Sequence, residues 1–145
     1  MKFVPDGERS LASVHASDYG LSGSLAQYTN EANRESMAIG IVESRRGIER
    51  ISEILAVPGL DGVIIGTTDL SKALGVTGQA DHPAMREAID TIIGAAKAAG
   101  KQVGITLKHG ENPKDMFGRG FGFVGIHLKA MLIKAAREHL AQAKG

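Results

Sequence analysis

The chain has 145 residues, 43% of them hydrophobic, which is enough for one buried core and too few for two typical domains. Its formal net charge of +1, without a run of basic residues, argues against binding to nucleic acid, and the absence of cysteine excludes disulfides and thiolate metal sites. With neither a signal-peptide pattern nor an apolar run of about 20 residues, we expect one cytoplasmic domain over residues 1–145 that does not enter a membrane.

The N-terminal quarter differs from the remainder of the chain. Residues 1–36 are predicted to form a loop containing glycine and serine through Gly23, followed by a polar helix from about Ser24 to Glu35. This segment leads into the first predicted strand.

Two short runs rich in β-branched residues come next, and each ends in an acidic residue. Ile39–Ser44 and Gly62–Asp69 are predicted strands that contain Glu43 and Asp69 near their carboxyl ends. One helix is predicted between them, with apolar residues spaced at about 3.6 positions and a stop at Val57-Pro58-Gly59. The pattern is typical of a βαβ unit.

The two carboxylates are candidates for a metal site. Parallel strands joined by a right-handed crossover have their carboxyl ends at one edge of the sheet, so Glu43 and Asp69 can approach one cation. The residues alone leave other roles open, because Asp69 can cap the following helix and Glu43 can pair with Arg45 or Arg46.

The periodicity predicts two further β/α units. Their elements are a helix from Asp81-His82-Pro83 to a stop at Gly100, a strand over 102–106, a short helix over 113–119, a strand over 121–127, and a closing helix over 130–143 with Met131, Ile133, Ala136 and Leu140 facing inward. The predicted fold is therefore α/β with about four β/α units.

An ordered set of motifs along this chain resembles the HpcH/HpaI aldolases, which are metal-dependent pyruvate aldolases built on a TIM barrel and related to the citrate lyase β subunit. The matching segments are Pro5-Asp6-Gly7-Glu8-Arg9, Ile41-Val42-Glu43-Ser44, Val57-Pro58-Gly59-Leu60-Asp61-Gly62, Ile65-Gly66-Thr67-Thr68-Asp69-Leu70-Ser71 and Asp81-His82-Pro83. The resemblance covers nearly the whole chain. A full (β/α)8 barrel needs about 250 residues, and the motifs of this chain resemble those of the second half of the family's barrel.

The resemblance implies a lyase that cleaves a 4-hydroxy-2-oxo acid to pyruvate and an aldehyde. It implies that Glu43 and Asp69 bind Mg²⁺, Mn²⁺ or Co²⁺, and that the metal chelates pyruvate. It further implies substrate binding by Arg9 and by the segment Gly66, Thr67, Thr68 and Asp69, whose backbone N–H groups begin a helix. Oxygen ligands and open positions suit a hard divalent cation, and the start of a helix favours an anion.

Some residues depart from the family pattern. Ile41 replaces a glutamine, Thr67 replaces a proline, and Ile126-His127-Leu128 replaces Gly-Ser-Asp. The family's catalytic histidine and its partners lie in the barrel half that this chain does not resemble. His109 and His127, near the ends of the third and fourth strands, are candidate proton carriers, and the alternative is that both are ordinary polar residues at the rim of the barrel. The alternative to a lyase is a catalytically inactive half barrel that binds metal or a 2-oxo acid, or serves in association.

Two further expectations concern partners. A half barrel leaves apolar side chains and strand edges uncovered, so we expect a homo-oligomer in which two copies close an eight-stranded barrel. Arg119–Ile126 resembles the RNA-recognition octamer, but its last position is not aromatic and its partner hexamer is missing. We therefore expect no nucleic-acid partner, and we attribute the glycines of this run to close strand packing.

Overall fold

The computed structural model describes residues 2–12, 15–21, 23–108 and 110–144. The chain divides into two compact units, Met1–Ala38 and Ile39–Gly145. One domain spanning residues 1–145 stays a prediction.

The first unit contains a 3-10 segment at His15–Gly20 and helix α1 at Leu25–Glu35. Ser24 caps α1, because its hydroxyl accepts a hydrogen bond from the Gln27 N–H at 3.1 Å. The N-terminal loop is held by Asn33, whose Oδ1 accepts from the Phe3 N–H at 2.6 Å and whose Nδ2 donates to the Phe3 carbonyl at 2.9 Å. Phe3 is consequently buried.

The second unit is built on four parallel strands in the order β1-β2-β3-β4. They are β1 (Ile39–Val42), β2 (Gly62–Ile65), β3 (Gln102–Thr106) and β4 (Phe123–Gly125). The predicted α/β architecture of four β/α units is confirmed. Three of the predicted strands extend too far. Glu43 lies in the loop after β1, and Asp69 lies in a helix after β2. The predicted strand over 121–127 is reduced to Phe123–Gly125.

Six helices accompany the strands in the described residues of this unit. They are α2 (Arg45–Glu49), α3 (Ile51–Leu55), α4 (Thr67–Ala73), α5 (Pro83–Ala98), α6 (Pro113–Gly118) and α7 (Leu128–Lys144). The prediction of one helix between β1 and β2 is wrong, because Arg50, with φ −108° and ψ 21°, interrupts it. Ile51 and Leu55, four positions apart on one face of α3, are both buried.

The core lies on one face of the sheet. Val42, Ile65 and Ile105 are in register on adjacent strands and point toward the helices that cover this face. Helix α5 supplies the largest apolar stripe, with Met85, Ala88, Ile89, Ile92 and Ala96 all buried. The predicted ends of α5 are confirmed: the His82 ring Nδ1 accepts from the Ala84 N–H at 3.2 Å, and Gly100 adopts a positive φ of 63° after the helix ends.

The opposite face of the sheet carries apolar residues that are only partly covered in the described part of this unit. Ile41, Ile64, Gly104 and Phe123 are in register across the four strands, and Ile41 is 65% exposed. The Phe123 ring lies directly over Gly104, where a Cβ would come within 2.1 Å of it. Gly104 must therefore stay without a side chain for β3 and β4 to pair as they do.

The run that resembles an RNA-binding octamer serves this packing. Phe121 is only 3% exposed and belongs to the core, so its ring is not on a surface where a base could stack. Gly122 donates its N–H to the Val103 carbonyl at 2.8 Å, and a Cβ on it would overlap the Gln102 side chain. The glycines thus permit close approach of neighbouring strands.

Helix α7 is exposed over residues 128–143. The predicted inward orientation of its apolar residues is wrong: Met131, Ile133 and Leu140 are 55%, 43% and 56% exposed, and Ala136 is also exposed. The apolar spacing predicted a buried face, but the helices before α7 already cover the core side of the sheet. None of the helices in the described ranges is both long and apolar enough to cross a membrane.

Candidate functional site

The Glu43 carboxylate lies against the loop that follows β2. A Cβ placed on Gly66 would be 2.7 Å from Glu43 Oε2 and 2.9 Å from Glu43 Cβ. The Gly66 N–H also donates to the Val42 carbonyl at 3.0 Å, which extends the pairing of β1 and β2 by one residue. The end of β1 and the loop after β2 therefore meet at a position where only glycine leaves room for the carboxylate.

Asp69 lies in the first turn of α4, three positions beyond Gly66. The buried residues Leu70 and Ser71, which are 0% and 3% exposed, anchor this turn to the interior of the unit. The Ser71 hydroxyl donates to the Thr68 carbonyl at 2.8 Å and accepts from the Gly78 N–H at 3.3 Å. Asp69 itself is exposed, at the same edge of the sheet as Glu43.

The structural alternatives for the two acidic residues are not realised among the described residues. Helix α4 begins after Gly66 and has no side-chain cap, so Asp69 is not a capping residue. The four ion pairs of the described ranges involve neither Glu43 nor Asp69. Arg45 contacts backbone carbonyls of α4 instead of Glu43. Both carboxylates are thus open to a cation.

The donor set suits a hard divalent cation. Two exposed carboxylates at the carboxyl ends of adjacent strands offer oxygen ligands and leave the other coordination positions to water or substrate, as Mg²⁺ prefers. The described residues contain no cluster of three or more histidine or acidic side chains suited to a metal. The donor set therefore fits a metal held jointly by the protein and its substrate better than an enclosed protein cage.

The profile of the HpcH/HpaI aldolase/citrate lyase family matches residues 1–134, nearly the whole chain. The chain belongs to this family. Among its HpcH/HpaI relatives is the 5-keto-4-deoxy-D-glucarate aldolase of Shigella dysenteriae serotype 1, 29% identical over 140 residues that make up 97% of this chain and 54% of that protein. The chain therefore spans about half the length of the curated relatives it matches.

Solved HpcH/HpaI structures have the same fold. A family member from Burkholderia cenocepacia J2315 superposes with a TM-score of 0.77 at 30% identity, over 97% of this chain and 55% of its own. A citrate lyase β subunit from M. tuberculosis, complexed with oxaloacetate and magnesium, shares the fold with a TM-score of 0.54 at 24% identity, over 70% of this chain and 51% of its own. The four-stranded parallel sheet is accordingly consistent with a partial barrel that corresponds to about half of these structures.

Three other residues are proposed for the site, Arg9 from the HpcH/HpaI resemblance and His109 and His127 from their places near strand ends. Arg9 belongs to the first unit, where its guanidinium carbon lies 4.6 Å from the centre of the Phe3 ring. His109 lies outside the described residues. His127 is exposed two positions after β4, about 14 Å from β1 by the usual strand spacing. Their roles in substrate binding and proton transfer stay predictions.

Proposed function

We propose that the chain provides the metal- and pyruvate-binding part of a divalent-metal-dependent aldolase, which cleaves a 4-hydroxy-2-oxo acid to pyruvate and an aldehyde. The observation that carries this proposal is the contact of the Glu43 carboxylate with Gly66, directly before the helix that bears Asp69. Membership of the HpcH/HpaI family and a relative named as an aldolase support the reaction type.

In this proposal, Glu43 and Asp69 hold Mg²⁺, Mn²⁺ or Co²⁺. The bound cation supplies Lewis-acid stabilisation of the negative charge that develops on the keto oxygen of the substrate. The segment Gly66–Asp69 binds the pyruvate carboxylate through the backbone N–H groups of Thr68 and Asp69, which have no helical acceptor in the first turn of α4. A neighbour of the same fold that is complexed with oxaloacetate and magnesium supports this assignment.

Exchange of the pyruvate methyl protons tests the proposal. In deuterated buffer with Mg²⁺, we expect proton NMR to show the pyruvate methyl signal decaying faster with the chain than with Mg²⁺ alone, because cleavage in reverse begins with removal of a methyl proton. EDTA should abolish the difference. A folded chain that binds Mn²⁺ without promoting exchange would instead be the non-catalytic binding module.

We also propose that the chain self-associates through the partly covered sheet face. Ile41, Ile64 and Phe123 form an apolar strip there, and strands β1 and β4 are the outer strands of the sheet in the described part of the chain. A second copy would bury this strip and complete the pairing of the outer strands.

Light scattering after size-exclusion chromatography checks the association. We expect a mass of at least two chains for the wild type and of one chain for Ile41→Glu, since the substitution places a charge in the contact. Val57→Glu is the matched control, because Val57 is 51% exposed in the loop after α3. A wild-type chain that elutes as a monomer would rule out this association.

A further inference from the structure

We propose that Arg45 is a positioning residue that fixes the orientation of α4, and with it Asp69, relative to Glu43. The inference rests on the metal site proposed above and assigns to it a residue two positions after Glu43. Arg45 is the first residue of α2, yet its side chain reaches the far end of α4.

The Arg45 guanidinium caps the carboxyl end of α4. Its Nε donates to the Ala73 carbonyl at 2.8 Å, and its Nη2 donates to the Leu74 carbonyl at 3.1 Å. The last carbonyls of a helix have no partner within the helix, and they carry the negative end of the helix dipole. The planar guanidinium has two parallel N–H donors, so it can donate a hydrogen bond to each of these carbonyls at once and restrict the orientation of the helix end.

With this cap, α4 is attached to the β1–α2 segment at both ends. At its start, the Gly66 N–H donates to the Val42 carbonyl at 3.0 Å, and at its end Arg45 holds Ala73 and Leu74. The two anchors on the β1–α2 segment lie on either side of Glu43 in sequence. Two fixed points define the tilt of a rigid helix, so the first-turn residue Asp69 is held relative to Glu43.

A direct electrostatic effect of Arg45 on the metal is expected to be small. The seven residues of α4 span about 10 Å, so the guanidinium lies roughly one Debye length from the first turn at moderate salt. The geometry therefore makes a prediction that charge alone does not: Arg45→Lys, which keeps the charge but loses the two parallel donors, should be impaired.

Mn²⁺ titration, with free Mn²⁺ measured by electron paramagnetic resonance, tests the assignment. We expect Arg45→Met to raise the Kd for Mn²⁺ about tenfold, the range found when residues that orient metal ligands are removed, and Arg45→Lys to lie between it and the wild type. Arg46→Met is the matched control: it removes the same charge from the next residue, which makes no side-chain hydrogen bond to α4 within the described ranges.

Hydrogen exchange of the metal-free chain supplies an independent readout. Amides of α4 should exchange faster in Arg45→Met than in Arg46→Met or the wild type, because the helix has lost its carboxyl-terminal anchor. Equal Mn²⁺ affinities for Arg45→Met and the wild type, even with a lower unfolding temperature, would show a purely structural cap and overturn the inference. A wild-type chain that binds no Mn²⁺ would overturn the proposed function as well.

Discussion

Asp69→Asn should weaken Mn²⁺ binding by at least about 100-fold while leaving the fold intact. Removal of a residue that only orients a metal ligand typically weakens metal binding by about 10–100-fold. Loss of one of two carboxylate ligands should weaken it further. Asparagine has nearly the same shape, and Asp69 is exposed, so the buried neighbours Leu70 and Ser71 keep their packing. The Kd for Mn²⁺ is the measurement.

Asp115→Asn is the matched control for this experiment. Asp115 also lies exposed in the first turn of a short helix, α6, so both substitutions remove the same favourable interaction with a helix dipole. Only Asp69 lies at the proposed site. Comparable Mn²⁺ affinities for the two variants would show that Asp69 is not a ligand, and the metal site would have to be sought elsewhere.

Gly66→Ala should impair the same site by displacing the other carboxylate. Gly66 has φ −81°, which alanine adopts without strain, so the cost is steric. The added methyl group would stand 2.7 Å from Glu43 Oε2 and 2.9 Å from Glu43 Cβ, and although the carboxylate can rotate away, the Cβ cannot move without shifting the end of β1. We expect Mn²⁺ binding at least about tenfold weaker and a loss of about 1–3 kcal/mol in the free energy of unfolding.

Gly94→Ala provides the contrast, with urea denaturation and Mn²⁺ titration applied to both variants. Gly94 lies exposed inside α5, and among the described residues no atom beyond its sequence neighbours and the backbone of its own helix lies within 4 Å of the position that its Cβ would occupy. Alanine there should raise the free energy of unfolding by about 0.5–1 kcal/mol without changing metal affinity. If Gly66→Ala binds Mn²⁺ as tightly as Gly94→Ala, the contact of Glu43 with Gly66 is irrelevant to the site.

The sequence predicts this fold well where local patterns and tertiary packing agree. The span of β3, Gln102–Thr106, is predicted without error, because the Gly100 stop and Lys101 come before it and the polar Lys108 follows within two residues. The ends of α5 follow from the predicted start at Asp81-His82-Pro83 and the Gly100 stop, and its apolar spacing identifies the buried stripe. The edge of the sheet at which Glu43 and Asp69 lie follows from the rule that parallel strands end together.

Features that depend on contacts between distant residues could not be predicted in this way. No local signal indicates that Arg45 reaches Ala73, that Glu43 occupies the space left by Gly66, or that Arg50 divides the helix after β1. The apolar spacing of α7 correctly indicates an amphipathic helix, but periodicity does not specify which surface covers its apolar side. Such features require the coordinates.

The strand order has a consequence for how the second unit forms. Each strand pairs only with the strands before and after it in the chain: Ile39 with Gly62, Gly62 with Gln102, and Gly104 with Phe123. No strand has to wait for a partner from the other end of the chain, so loop-closure entropy is lost in small steps. We therefore expect folding to begin at the core around β2, α5 and β3 and to spread outward along the sheet.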